Sequence, residues 1–297
     1  MIAVRKAETA ADLDAWIRVR RAVAPNESAW TVAQFRERVK AERLVLVAEL
    51  DGAIAGAGLG DRSDTAGRAF VAARVLPGAR RRGVGTTLLR ELGVHALSLD
   101  VREAVAHVDG HDGGSVAFAR RFGFEEVDRQ VEQVRVLGGE PEPPPRPDGV
   151  EVFTIAERPE LLAEAYELAL QGFADMPTDR PATVSHDDWI EEEATLPEGS
   201  FVALADGEIV AYCGLCRHDN HGVAEDGLTV VRRDWRRRGL ATALKRRELA
   251  WAAEQGLREV VTWTQDGNEG MRRVNQSLGY VTRDVSLTMA AALPLKI

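Results

Sequence analysis

Arg80-Arg81-Arg82-Gly83-Val84-Gly85-Thr86 and Arg236-Arg237-Arg238-Gly239-Leu240-Ala241-Thr242 are the two stretches around which this sequence is organised. Each follows an apolar, strand-like stretch (Phe70 to Leu76; Gly227 to Val231) and opens a segment with helical periodicity. In the second copy Leu240, Ala243, Leu244, Ala250 and Trp251 fall within about 120° of arc at 100° per residue, which makes one buried helix face. Three arginines just before a helix are electrostatically misplaced, because the helix start already carries about half a positive charge. An anion belongs there. Gly83 and Gly239 let a ligand approach the backbone, first-turn N–H groups bind phosphate oxygens, and arginine adds bidentate contacts. One such loop alone reads equally well as a solvated basic turn; its recurrence in the same strand-to-helix context favours the anion site.

Other landmarks keep the register. Phe122-Gly123-Phe124 answers Leu278-Gly279-Tyr280 at the same separation of 156 positions, and Leu46 to Gly52 answers Phe201 to Gly207 at 155. A period this long is a duplicated domain, not a solenoid repeat. Between the copies lies Glu140-Pro-Glu-Pro-Pro-Pro-Arg-Pro-Asp148, where proline fixes the backbone into an extended spacer. The expected organisation is a first domain over 1–139, a linker over 140–149 and a second domain over 150–297. Each half reads in the same order. An early helix (Ala10 to Val23; Pro159 to Phe173) precedes a strand ending at an Asp-Gly turn. Further strands follow (Ala53 to Leu59; Ile209 to Leu215), one of them running into the arginine loop, then a helix, another strand (Glu103 to Val108; Glu259 to Trp263), a short helix and a closing strand. The fold class is α/β: two tandem copies of a mixed, mostly antiparallel sheet flanked by helices.

Composition bounds the partners. The chain has 297 residues, 45% hydrophobic and 29% charged, as in globular domains, and no apolar run long enough to span a membrane. A formal charge of −9 disfavours nucleic acid and anionic lipid, so a phosphate-bearing ligand must be held by a local basic patch. The start, Met1-Ile2-Ala3-Val4-Arg5-Lys6, has no signal-peptide apolar core, and two cysteines build no disulfide framework; both point to the cytoplasm. A monomer or homodimer with a small-molecule partner is expected.

Neither loop ends in the Gly-Lys-Ser/Thr of a P-loop. A dinucleotide fingerprint would need a third glycine where Leu88 and Leu244 stand, although Glu103 and Glu259 imitate its ribose-binding acid. Arg80-x-x-Gly83-x-Gly85 and Arg236-x-x-Gly239-x-Ala241, with Asn268 preceding Gly279-Tyr280 and Asp112 preceding Gly123-Phe124, resemble the GNAT superfamily of acyl-CoA-dependent N-acetyltransferases, twice over nearly the whole chain. The resemblance implies acetyl-CoA as acyl donor and a small primary amine as acceptor, attacking the thioester directly. It places the cofactor against Val230, Val231, Arg236, Arg237, Arg238, Gly239, Leu240, Ala241, Thr242 and Asn268. In the first half the matching positions are Val75, Arg80, Arg81, Gly83, Val84, Gly85 and Thr86. Backbone N–H groups of the strand before the loop, near Val230-Val231 or Val75-Leu76, serve as oxyanion donors in that family.

For the base, Glu225 and Asp226 stand just before the second-half strand, and subtracting 156 finds only Ala69 and Phe70. This asymmetry points to the second half as catalytic and the first as a degenerate or structural copy. Both acids also read as ordinary polar residues at a strand entry. The tyrosine acid that family members often carry four residues before the Gly of Gly-Phe/Tyr is replaced by Asn275 here and by Ala119 in the first half. Asn275 then hydrogen-bonds the cofactor while water protonates the thiolate, or the acid lies elsewhere, with Tyr280 a substitute. The missing tyrosine also leaves open a noncatalytic acyl-CoA-binding module. Cys213-Gly-Leu-Cys216 with His218 and His221 has poor metal geometry, because strand residues three apart point to opposite faces. No metal is assigned. The acidic stretch from Asp175 to Glu193 suits a cationic acceptor, or equally a solvated helix capped by Ser185. His107 and His111 have no partner pattern.

Overall fold

The computed structural model describes residues 1–25, 31–37, 42–63, 65, 67–140, 142–143, 145, 148–180, 183–218 and 220–297. Four positions of the proline segment (141, 144, 146 and 147) therefore lie outside the described residues, as does Pro181 in the acidic stretch. The elements run β1 (Ile2–Lys6), α1 (Ala10–Val23), α2 (Val32–Glu37), β2 (Leu44–Leu50), β3 (Ala53–Arg62), β4 (Arg68–Val75), α3 (Val84–Ser98), β5 (Glu103–Asp109), α4 (Gly113–Arg121) and β6 (Glu125–Val136). They continue with β7 (Glu151–Thr154), α5 (Glu160–Glu164), α6 (Tyr166–Ala174), α7 (His186–Glu192), β8 (Phe201–Ala205), β9 (Glu208–Arg217), β10 (Val223–Val231), α8 (Leu240–Glu254), β11 (Glu259–Gln265), α9 (Glu269–Ser277) and β12 (Val281–Ala292). No helix among the described residues is long and apolar enough to cross a membrane.

The chain forms two compact units, Met1–Asp128 with Ser286–Ile297, and Arg129–Val285. In the first, the strand order is β1-β2-β3-β4-β5-β12, antiparallel except where β4 runs parallel to β5. In the second it is β7-β8-β9-β10-β11-β6, with β10 and β11 the parallel pair. The closing strands are exchanged: Ser286–Ala292 of β12 pairs with β5, and Gln130–Val136 of β6 pairs with β11. The repeat boundary and the compact units thus divide the chain differently at these two strands. Sequence periodicity marks where a copy ends; only strand pairing reveals which sheet its last strand completes.

Local chemistry explains the elements. Asp51-Gly52 and Asp206-Gly207 all take positive φ (54°, 84°, 51° and 82°), as a two-residue hairpin turn between right-twisted strands requires. Thr9 and Asp12 form a reciprocal capping box at the start of α1. Each unit buries one tryptophan with its indole N–H satisfied: Trp16 donates to Gly58 O at 2.9 Å and Trp189 to Leu162 O at 2.8 Å. The helix expected over Pro159 to Phe173 breaks at Ala165 into α5 and α6. On α8, Leu240, Ala243 and Leu244 are buried as the periodicity predicts, but so are Lys245 and Glu248.

Candidate active site

The arginine loop of the second unit ends in two left-handed residues, Arg237 (φ 62°) and Gly239 (φ 82°), and Gly239 caps α8 without a side chain. Its Cβ position is open, with nothing within 4 Å. The first-turn N–H groups of α8 therefore face a cleft of about 460 Å³, lined by Arg236, Arg237, Gly239, Leu240, Ala241 and Thr242 on one side and by Asn268, Gly270 and Met271 on the other. Backbone dipoles and guanidinium charge make this cleft suited to an anion. Asp175, at the end of α6, pairs with Arg233 and Arg236, which hold its carboxyl down at about 2. Arg236 Nε also donates to Val231 O at 3.0 Å, and Arg238 stacks 4.4 Å over the Trp235 ring. Arg237 has no ion-pair partner among the described residues and lines the cleft. Asn268 caps α9, its side chain accepting Met271 N–H at 3.3 Å. In the first unit Arg81 (φ 63°) and Gly83 (φ 91°) repeat the loop, Asp112 repeats the cap, and a cleft of about 680 Å³ is lined by Arg74, Val75, Arg80, Arg81, Gly85 and Thr86. Val84 there is buried at 1% exposure and serves the core.

The cleft exists because two parallel strands part. β10 meets β11 only over Val223–Glu225, and the remainder of β10 diverges from it. Arg232 N–H donates to Val210 O, so by antiparallel alternation Val230 also faces β9, while Thr229 and Val231 turn their N–H groups toward the opening. Leu76 N–H bonds Ala55 O in the first unit, which places Val75 like Val231. The units differ at one point. β10 has a register shift against β9 between Asp226 and Thr229, a bulge at Gly227-Leu228, whereas β4 pairs with β3 without interruption from Val75 to Ala69.

The bulge faces a carboxylate at the end of the acidic stretch that the sequence left open between a cationic-acceptor loop and a solvated helix. Glu193, just past α7, sits over exposed Gly227: a Cβ there would meet its two carboxylate oxygens at 2.9 and 3.2 Å, and a Cβ at Gly214 would overlap Glu193 Oε1 more closely still. Only glycine admits this approach. Tyr212 Oη donates to Glu193 Oε1 at 3.1 Å, and the nearby backbone N–H groups of Leu228 and Ala194 also favour the charged carboxylate. Burial nevertheless dominates and pushes its carboxyl up to about 7. Glu225 lies on the same face, also raised by burial and by Glu132, so two carboxyls share an acidic recess beside the bulge.

The sequence profile of the Acetyltransferase (GNAT) family matches residues 11–124 and 162–280. The chain belongs to this family. It is an acyltransferase with the family's fold in tandem. It is 28% identical to the mycothiol acetyltransferase of Catenulispora acidiphila over 293 residues, covering 95% of this chain and 83% of that one. The mycothiol acetyltransferase of Geodermatophilus obscurus is also 28% identical, over 84% of this chain and 82% of its own. In fold it resembles a GCN5-related N-acetyltransferase from Sphaerobacter thermophilus (TM-score 0.80, 20% identity, 98% and 95% of the two chains). A tandem GNAT protein from the clavulanic acid biosynthesis pathway gives a TM-score of 0.77 at 22% identity over 98% of each chain.

Set on the family fold, the sequence-derived site residues divide into groups. Arg236 to Thr242, Val230, Val231 and Asn268 converge on one cleft, apart from Arg238, which turns to Trp235. Glu225 and Asp226 separate, as neighbours on a strand must: Glu225 faces the acidic recess, while Asp226, 2% exposed, points to the α8 side and pairs with Lys245. Strand pairing sets Phe70 and Val71, not Ala69 and Phe70, opposite these two, because the bulge adds one residue that the constant offset ignores. Asn275 is fully buried, donating to Gln133 Oε1 at 2.9 Å and Thr264 Oγ1 at 3.3 Å. Tyr280 is buried at 2% exposure, in the core. Cys213 and Cys216 diverge to opposite faces, the first to Glu248 and the second to Glu192 O and Glu193.

Proposed function

We propose that this protein moves an acetyl group from acetyl-CoA to the primary amine of a small molecule, and that the second unit carries the reaction. The observation that carries this assignment is the arrangement along β10. One end holds a bulge with a carboxyl raised to about 7 beside it, and the other runs into an uncapped, arginine-flanked helix start. The first unit has the loop, but its β4 pairs with β3 without a bulge, and Phe70 and Val71 stand where the second unit has Glu225 and Asp226. The donor set suits acetyl-CoA: open first-turn N–H groups and Arg237 for its phosphates, and an opening along β10 for its extended arm.

Bound acetyl-CoA supplies the activated acyl carbon. Glu193, poised near neutral pH, takes the proton of the acceptor ammonium, which the Glu193–Glu225 recess attracts by charge. The freed amine attacks the acyl carbon, and the opening-facing N–H groups of Thr229 and Val231 stabilise the negative charge that develops on the carbonyl oxygen; such a donor is worth about 3 kcal/mol. Asn275 donates no proton usefully and stays in its amide cluster, so the second proton lost by the attacking nitrogen reaches the departing thiolate through water. The relatives' name, mycothiol acetyltransferase, supports acetyl transfer. No residue of the recess singles out one acceptor.

The test is turnover of the purified chain with acetyl-CoA and a panel of small primary amines, following free thiol and the acetylated amine by mass spectrometry. Thiol release tied to acetylation of an amine is expected. Acetyl-CoA binding without thiol release from any amine would overturn the assignment.

A further inference from the structure

Beneath the bulge, on the α8 side of the sheet, lies a charged cluster that the chemistry above does not use. Asp226 pairs with Lys245, and both side chains are essentially sealed from water at 0% and 1% exposure. Cys213 Sγ donates to Glu248 Oε2 at 2.8 Å, and the ammonium of Lys245 stands 5.4 Å from the Tyr280 ring centroid. The ligand atoms of Cys213, Asp226 and Glu248 lie within 4.8 Å of one another, so the cation among them is Lys245 itself. Glu248 Oε1 and Tyr280 Oη have no hydrogen-bond partner among the described residues. Burial pushes the Glu248 carboxyl up and the Lys245 ammonium down.

The first unit supplies an internal control. By strand register and helix offset, Asp226, Lys245 and Glu248 correspond to Val71, Leu89 and Leu92, while Cys213, Thr229 and Tyr280 correspond to Gly58, Ala73 and Phe124. Every polar position of the cluster is apolar there. The same fold therefore packs without these charges, and replacing a buried ion pair by apolar residues is often neutral or stabilising. The cluster must be retained for something other than stability. Its geometry indicates what. Asp226 Oδ1 accepts from Thr229 Oγ1 at 3.1 Å, bridging the bulge, and Asp226 O accepts from Thr262 Oγ1 at 3.0 Å, which ties β10 to β11 where the two strands part. The unit without the cluster is also the unit without the bulge.

We propose that Asp226 and Lys245 are positioning residues for acyl transfer: Lys245 holds Asp226 so that its carboxylate staples Thr229 across the bulge, keeping the Leu228, Thr229 and Val231 N–H groups aimed at their partners. This rests on the second unit being the catalytic one. Misplacing such groups by about 1 Å costs on the order of a hundredfold in rate.

Two double variants separate the staple from packing. D226N/K245M keeps an acceptor for the Thr229 hydroxyl without charge, whereas D226V/K245L copies the residues of the first unit and has none. Both are expected to match the wild type in thermal stability and in KM for acetyl-CoA. D226N/K245M should keep kcat within about fivefold and D226V/K245L should lose about a hundredfold. Amide hydrogen exchange at Leu228 supplies a readout independent of turnover: it should accelerate at least tenfold in D226V/K245L and stay unchanged in D226N/K245M. Equal kcat and equal Leu228 protection in the two stable variants would overturn the proposal, as would an equal loss in both. A wild type that transfers to no amine, with the exchange contrast intact, would instead sink the acetyltransferase assignment and leave the staple standing.

Discussion

Replacing Glu193 by Gln should move activity and stability in opposite directions, and the structure sets both sizes. Burial raises this carboxyl from the ordinary 4.5 to about 7, so the fold prefers it neutral. For an acid raised in the fold, the penalty is absent below about pH 4.5, grows as pH rises toward 7 and is constant above. At pH 8.5 it reaches about 3 kcal/mol, and between pH 5.5 and 8.5 it changes by about 2 kcal/mol. Gln carries no charge and keeps an acceptor for Tyr212 Oη, so E193Q should be more stable than the wild type by up to these amounts, with the advantage widening as pH rises. Buried acids that do not feel Glu193 titrate alike in both proteins and cancel in the difference, while Glu248, which Glu193 helps to raise, adds to it in the same direction. Urea unfolding at the two pH values measures it. In the same samples, kcat should fall about a hundredfold or more, and the acidic limb of the rate profile near pH 7 should vanish. E225Q, which removes the recess neighbour and leaves the base, should shift that limb to lower pH and weaken the acceptor KM. An E193Q protein with wild-type turnover and pH profile, or a stability difference that narrows as pH rises, would refute the assignment of Glu193.

Two further outcomes are expected. Gly239→Val and Gly83→Val each force a branched side chain into a left-handed backbone, costing both variants about 1–2 kcal/mol by unfolding. Only the Gly239 change should abolish turnover in an acetyl-CoA assay, and the reverse would assign the reaction to the first unit. Asn268→Asp should leave thermal stability within about 0.5 kcal/mol, since Asp caps α4 in the same way through Asp112, yet raise the KM for acetyl-CoA several-fold by setting a negative charge in the anion cleft.

How much of this was legible beforehand depends on the range of the interaction. The geometry of the arginine loop was readable because all of it is local: arginines, a glycine and an amphipathic helix within a dozen residues, written twice. The Asp-Gly turns and the Ala10–Val23 helix were readable for the same reason. Glu193 was not. It follows a short acidic helix that looks solvated, and its raised carboxyl comes from burial against Gly214 and Gly227 on two other strands, which outweighs the lowering bond from Tyr212. Lys245 and Glu248 lie outside the apolar arc that the periodicity of α8 marks, and periodicity cannot foresee a charged residue packed against a buried acid.

Fold class, duplication and the arginine loop with its helix start follow from patterns of neighbouring residues, where backbone geometry and periodicity act over a few bonds. Which strand completes which sheet, where β10 gains its extra residue, and which face each of the adjacent Glu225 and Asp226 presents depend on pairing between distant segments. A bulge adds one residue to a strand and so reassigns every side chain on one side of it relative to the other copy. A constant offset of 156 carries no trace of that change, and so it sets Glu225 and Asp226 against Ala69 and Phe70 where strand pairing sets them against Phe70 and Val71.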